Sequence, residues 1–213
     1  MLEDISGEKI KEQFKSNKNV RLITMIVGGL IILAFGYFIY LQFMWKPANE
    51  NSKEFYWAGL SYASKDSTAL AIDELKVQVN KYDGKIGGEV SQFVYARQLM
   101  AKGSFEEALK ELKGVDVSDT YVSVLTEGLQ GDCLSELGNY EKAYTSYMKA
   151  ATMINNEFTT PIYLMKAGFC AEETKNFEKA TEAYQTIKND YTVFASQKSI
   201  KKYIARAKNK KTK

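Results

Sequence analysis

The stretch Gly131-Asp-Cys-Leu-Ser-Glu-Leu-Gly-Asn-Tyr-Glu-Lys-Ala143 decides the fold, because two other stretches of the chain repeat its plan. Upstream lies Ala96-Arg-Gln-Leu-Met-Ala-Lys-Gly-Ser-Phe-Glu-Glu-Ala108, and downstream Gly168-Phe-Cys-Ala-Glu-Glu-Thr-Lys-Asn-Phe-Glu-Lys-Ala180. Each has a small residue, an aromatic nine positions on, and an alanine three further. Phe105, Tyr140 and Phe177 are separated by 35 and 37 residues, as are Ala108, Ala143 and Ala180. The small residue belongs where a first helix approaches a second closely. The aromatic opens the second helix, and the alanine sits at the crossing, where a larger side chain would force the helices apart.

A period near 34 with helix–turn–helix punctuation is the pattern of tetratricopeptide repeats, so the expected fold is all-α. Gly103 and Gly138 suit the positive φ that ends a helix, and Lys175 stands at the matching place in the third repeat. Ser104 followed by Glu107 reads as a capping box, and Thr160-Pro161 as an N-cap with proline at the first helical position. Asn155-Asn-Glu-Phe-Thr-Thr-Pro161 lengthens one link and accounts for the 37-residue step. Residues 50–64 and 67–82 read as a preceding helix pair, with Phe55, Leu60, Ala63, Leu70, Leu75 and Val79 as apolar positions. Residues 194–207 read as a closing helix, which covers the last repeat's unpaired apolar face. The expected organisation is a linker and helix pair over 46–88, three degenerate repeats over 89–197, and a closing helix with basic tail over 194–213.

Ahead of this solenoid, Arg21 and Lys46 bracket 24 uncharged residues, LITMIVGGLIILAFGYFIYLQFMW. At 1.5 Å per residue they reach about 36 Å, more than the ~30 Å hydrocarbon core of a bilayer. A signal peptide has a shorter apolar region and a small-residue cleavage site. This run ends in Gln-Phe-Met-Trp-Lys-Pro instead, in a chain whose mean hydropathy is −0.32. The expectation is a single transmembrane helix over 22–45, with 1–21 as a short cytoplasmic N-terminus. Lys9, Lys11, Lys15, Lys18 and Arg21 precede the span and Lys46, Lys53 and Lys65 follow it. That asymmetry keeps the N-terminus inside and places 46–213 outside. Gly29 and Gly36 share a face of the span and would admit another membrane helix.

Charge is unevenly placed. Residues 46–197 carry 16 basic and 22 acidic side chains, whereas 198–213 carry eight basic and none acidic. The basic tail reads as a solvated terminus, with anionic lipid as the alternative, and an acidic domain argues against nucleic acid. The chain has no histidine, which removes the commonest general base and metal ligand. Glu106-Glu107 and Glu172-Glu173 are helix neighbours pointing apart. Neither Gly28-Gly29 nor Gly87-Gly88 fits a phosphate-binding loop. No catalytic residue, metal or cofactor is expected, and the chain does not read as an enzyme. Cys133 and Cys170 occupy equivalent repeat positions, about 8–10 Å apart in stacked helices. That exceeds the ~7 Å limit for a disulfide and makes them small buried hydrophobes.

Binding remains. Stacked repeats present a concave face lined by first helices, which the register assigns to Phe93, Arg97, Met100, Asp132, Glu136, Met165, Phe169 and Glu172. With Arg97 as its one cation, that face does not suit a carboxylate clamp. Apolar and acidic side chains together suit apolar or weakly basic polypeptide.

The whole layout, with Asn155-Asn-Glu-Phe-Thr-Thr-Pro-Ile-Tyr-Leu-Met-Lys-Ala-Gly168, Gly87-Gly88 and the Asn-Tyr-Glu-Lys-Ala turn, resembles the ancillary SecYEG translocon subunits of the YfgM type. The resemblance implies a bacterial inner-membrane protein with its repeat domain in the periplasm. It implies partners as well: the translocon, a membrane-anchored periplasmic chaperone of the peptidyl-prolyl isomerase type, and unfolded exported polypeptides. It carries over no catalytic residue. The alternative is a structural adaptor for another membrane-envelope complex.

Overall fold

The computed structural model describes Gly7, residues 14–65 and residues 67–211. Lys9 and Lys11 of the N-terminal flank and the last two residues of the basic tail lie outside these. The chain divides at Asn51/Ser52 into two compact units.

In the first unit, helix α1 spans Lys18–Tyr40 and runs into a π-helical turn, Leu41–Trp45. Asn17 caps α1, its Oδ1 accepting from the Asn19 and Val20 amides at 3.0 and 3.4 Å. An 18-residue window here has a mean hydropathy of 2.5, and none of it is buried. Leu30, Ile31, Ile32, Leu33 and Phe35 are all at least 60% exposed. By length and composition, this one helix among the described residues is able to cross a membrane.

Helix α2, Lys46–Phe55, carries the unit boundary. The second unit continues with α3 (Trp57–Ser64), α4 (Thr68–Lys81), α5 (Ile86–Lys102), α6 (Phe105–Gly114), α7 (Thr120–Glu136) and α8 (Tyr140–Met153). It ends with α9 (Thr159–Glu173), α10 (Phe177–Asp190), α11 (Thr192–Gln197) and α12 (Ile200–Lys211). No strand occurs among the described residues. The main packing partners are neighbours in sequence, from α3 on α4 through α9 on α10, as a solenoid requires.

The repeat plan accounts for the packing. Second helices begin at Phe105, Tyr140 and Phe177, the three aligned aromatics. Ala96, Ala108, Ala143 and Ala180 are fully buried. A Cβ on Gly131 would stand 2.6 Å from the Tyr147 ring, and one on Gly168 would stand 2.2 Å from the Tyr184 ring. In the second and third repeats, glycine is therefore what lets the first helix lie against the tyrosine of its second helix. Cys133 and Cys170 are free and buried.

The three inter-helix turns share one geometry. Gly103, Gly138 and Lys175 have φ of +84°, +73° and +59°. In each turn the next amide reaches five residues back, Ser104 to Leu99, Asn139 to Leu134 and Asn176 to Ala171, at 2.7–2.9 Å. This is the Schellman closure, whose left-handed residue favours glycine. Lys175 adopts the conformation at a steric cost of about 1–2 kcal/mol. Lys175→Gly is thus expected to stabilise the domain by about 1 kcal/mol, raising the melting temperature by about 2–4 °C in calorimetry. An unchanged or lowered midpoint would contradict the strain.

Several local expectations are corrected. Residues 50–64 form two helices broken at Tyr56 rather than one. Phe55 and Leu70 are 48% and 54% exposed, while Leu75 fills the core between α4 and α5. Ser104 makes no capping bond through its side chain. Pro161 lies in the third helical position of α9, not the first. There Asn156 supplies the cap, accepting from the Phe158 and Thr159 amides, while the Thr160 hydroxyl donates to Ile154 O. The closing segment is divided at Lys198-Ser199, with Ser199 at φ +52°. That bend turns α12 back along α10, burying Ile200 and Ala207.

Candidate functional site

First helices α5, α7 and α9 carry most of the candidate residues, so the repeat register alone sets their positions. Met100, Asp132 and Glu136 come together in an open groove of about 530 Å³, with Ala101, Phe105, Ser135, Tyr147 and Lys166. Asp132 organises it. Its Oδ1 accepts from the Tyr147 hydroxyl and from Lys166 Nζ, both at 2.6 Å. The Lys166 ammonium also lies 5.5 and 6.0 Å from the Tyr147 and Tyr163 ring centroids, within cation–π range. Lys166 therefore ties α9 to α7 and α8. Glu136 is exposed beside the pair.

Burial pushes the Tyr147 hydroxyl up from its ordinary range, and its bond to the Asp132 carboxylate pushes it further the same way. Burial likewise pushes Tyr163 up to about 12, with Asp132 adding to it. These phenols stay protonated at neutral pH and act as donors and ring surfaces. Burial raises the Cys133 thiol to about 11, the opposite of nucleophilic activation.

The remaining candidates are dispersed. Arg97 is exposed on α5, whereas Phe93 is half-buried and packs with Met100 against the core around α4, α5 and α6. Met165 is 8% exposed and belongs to the core. Phe169 is 40% exposed, its ring 6.3 Å from Tyr184 and 5.6 Å from Tyr203. The Glu172 side chain, 8% exposed, is occupied inside the chain. It accepts from the Tyr184 hydroxyl at 2.9 Å and from Arg206 at 2.7 Å, with Lys210 Nζ at 3.8 Å. Glu172 therefore fastens α12 to α9 and α10. Sequence reasoning missed Lys166 and Tyr147 as groove residues. The seven-residue step from the half-buried Tyr140 places Tyr147 on the inward face, whereas Lys166 stands four residues after the exposed Ile162 and spacing does not mark it. No group of three or more carboxylate or thiol ligands able to hold a metal occurs among the described residues.

Residues 53–168 match the family described as a tetratricopeptide repeat-like domain. The chain belongs to that family. Its fold is a non-enzymatic interaction fold, and no catalytic family is indicated. The match ends inside α9, but α10 extends the same plan, since the turn at Lys175 repeats those at Gly103 and Gly138. No curated protein matches the chain significantly.

Proposed function

We propose that this chain is a membrane-anchored protein-interaction scaffold, an ancillary subunit of the Sec translocon that hands exported chains to periplasmic chaperones. The observation that carries this reading is the pairing, in one chain, of a repeat interaction domain with an upstream apolar helix, no part of whose most apolar stretch is buried. Such a helix exposes leucine, isoleucine and phenylalanine at roughly 25 cal/mol per Å² in water, a cost that a bilayer removes. The excess of basic residues before the span favours a bacterial inner-membrane protein with its N-terminus in the cytoplasm and its repeat domain in the periplasm.

The span offers a lateral contact as well. Beyond the adjoining residues and backbone of their own helix, no described atom lies within 4 Å of a Cβ built on Gly29 or Gly36, so their face is open to a translocon helix packed closely against it. Without Met165 and Glu172, which are taken up inside the chain, the candidate face over Phe93, Arg97, Met100, Asp132, Glu136 and Phe169 is centred, in this reading, on the groove around Asp132 and Glu136. Its partners are unfolded exported polypeptides and a peptidyl-prolyl isomerase-type chaperone.

Proximity crosslinking from the full chain in intact cells tests the reading. Translocon subunits and nascent exported chains are expected among the products. Recovery of a different envelope complex instead would make the chain a structural adaptor. Topology has its own check: Lys142→Cys, at an exposed position of α8, should react with a membrane-impermeant maleimide in intact cells. Cys133 and Cys170 are 0% and 3% exposed and give little background. Labelling only after lysis would reverse the orientation.

A further inference from the structure

The repeat period carries a second set of residues, outside the groove. Ile86, Tyr121 and Phe158 are separated by 35 and 37 residues, the same steps that separate Phe105, Tyr140 and Phe177. They stand at the starts of α5, α7 and α9, and they are 51%, 65% and 81% exposed. One turn further along, Leu125 and Ile162 repeat the 37-residue step at 41% and 43% exposure. Residues four apart share a helix face, so Tyr121 with Leu125 and Phe158 with Ile162 form parallel apolar pairs.

The helices bearing these pairs are in contact. Gly128 of α7 meets the Tyr163 ring of α9 so closely that a Cβ would stand 2.2 Å from it. On the other side, the Glu89 carboxylate of α5 accepts from the Asp116 amide ahead of α7 at 2.6 Å. The apolar residues thus form one ladder along the edge where first helices begin. Their side chains are 41–81% exposed, whereas α12 covers the apolar end of the stack. Single exposed apolar residues are ordinary, whereas a contiguous row in register marks an interaction surface.

The charge around the ladder states the partner's chemistry. Segments 83–90, 116–125 and 157–162 contain Asp83, Glu89, Asp116, Asp119 and Glu157 against the single cation Lys85. Five carboxylates repel an anionic lipid surface and attract cations. Equivalent positions on packed helices stand about 8–10 Å apart, a distance that an extended chain in the polyproline II conformation covers in three residues, about 9 Å, with its side chains returned to the same face. We infer that this ladder docks an extended polypeptide segment with apolar side chains about three residues apart and lysine or arginine between them. The inference rests on the reading of the domain as a protein-interaction scaffold and moves its main client contact from the groove to this edge.

The test uses the full chain in nanodiscs of uncharged lipid. The probe is a fluorescent peptide with leucine at every third position and lysines between, compared with a twin carrying glutamate for lysine. Binding of the lysine peptide is expected, with the twin weaker by at least about tenfold. Tyr121→Ser combined with Phe158→Ser is expected to weaken it by about tenfold or more, while Lys142→Gln, at an exposed position of α8 outside both surfaces, leaves it within about twofold. The substituted side chains are exposed, so an unchanged melting temperature shows that folding is intact. Wild-type affinity in the Tyr121/Phe158 variant, or a comparable loss on Lys142→Gln, overturns the ladder and leaves the scaffold reading standing. A wild-type chain that binds neither peptide overturns both. A nitroxide attached through Phe158→Cys reports the environment: preferential access by oxygen over a polar nickel chelate would place the ladder in lipid and overturn the inference. Self-association abolished by the same serine substitutions would assign the edge to a second copy and overturn it too.

Discussion

Above pH 10 the repeat domain is expected to lose stability steeply and to unfold cooperatively, with phenolate absorbance and helix loss changing together. Tyr147, Tyr163 and Tyr184 are 3%, 6% and 0% exposed. Burial is the largest cause raising each of their pKa values, with Asp132 adding to it for Tyr147 and Tyr163 and Glu172 for Tyr184. In the unfolded chain these phenols ionise near pH 10, whereas in the folded one they hold their protons to higher pH. Above pH 10 the native state therefore binds more protons than the unfolded state, and stability falls as pH rises. Each such tyrosine contributes a slope of up to about 1.4 kcal/mol per pH unit, or about 4 kcal/mol for the three. Tyr163 stops contributing once the pH passes about 12. Over two pH units this removes up to about 8 kcal/mol, which unfolds a domain in the lower half of the typical range of about 5–15 kcal/mol. Circular dichroism and absorbance at the phenolate band, followed together, check this. Full ionisation of the tyrosines with the helical signal intact would show that the three rings are not buried donors.

Period, turn positions and small residues were legible because each is a local steric requirement repeated three times. An aromatic at Phe105, Tyr140 or Phe177 starts a helix in every repeat, so one degenerate copy is corrected by the others. The Lys175 turn shows this best, since a lysine takes up the left-handed geometry that its position in the repeat demands. Residues whose partners come from outside the period were not legible. Glu172 falls at a first-helix position that spacing assigns to a binding face, but α12 returns along α10 and brings Arg206 to it. No repeat rule announces that return, and Ser199, which makes the bend, has no glycine or proline to mark it. Met165 failed to be surface for a related reason. Its counterparts in the other repeats are Phe93 and Gly128, and the glycine draws the Tyr163 ring inward, compacting the α7–α9 contact. The Ile86, Tyr121 and Phe158 ladder was in principle readable, since its spacing is that of the repeat. Exposure is what distinguishes it from a core row, and spacing does not report exposure.

Tyr184→Ala is expected to destabilise the domain by about 3–5 kcal/mol, shifting its melting temperature down by about 10 °C or more. The ring is fully buried, contacts Phe169 and Tyr203, and touches the backbone at Gly168. Its hydroxyl donates to Glu172, so Tyr184→Phe isolates that bond and should cost about 1–2 kcal/mol. Gly168→Ala attacks the same contact from the other side. The new Cβ would stand 2.2 Å from the Tyr184 ring, which cannot retreat because Phe169 and Tyr203 flank it. Overpacking of this kind costs about 1–3 kcal/mol. The two changes are not independent. Once Tyr184 is alanine, the space its ring occupied accepts the Cβ at position 168, and the Gly168→Ala cost should largely vanish. Combining them in a double-mutant cycle is therefore expected to give a total well below the sum of the single costs, with a coupling of about 1–2 kcal/mol. Strict additivity in denaturant titrations would mean that glycine at 168 serves backbone freedom rather than the approach of the ring, and the steric account of the repeat's small position would fail with it.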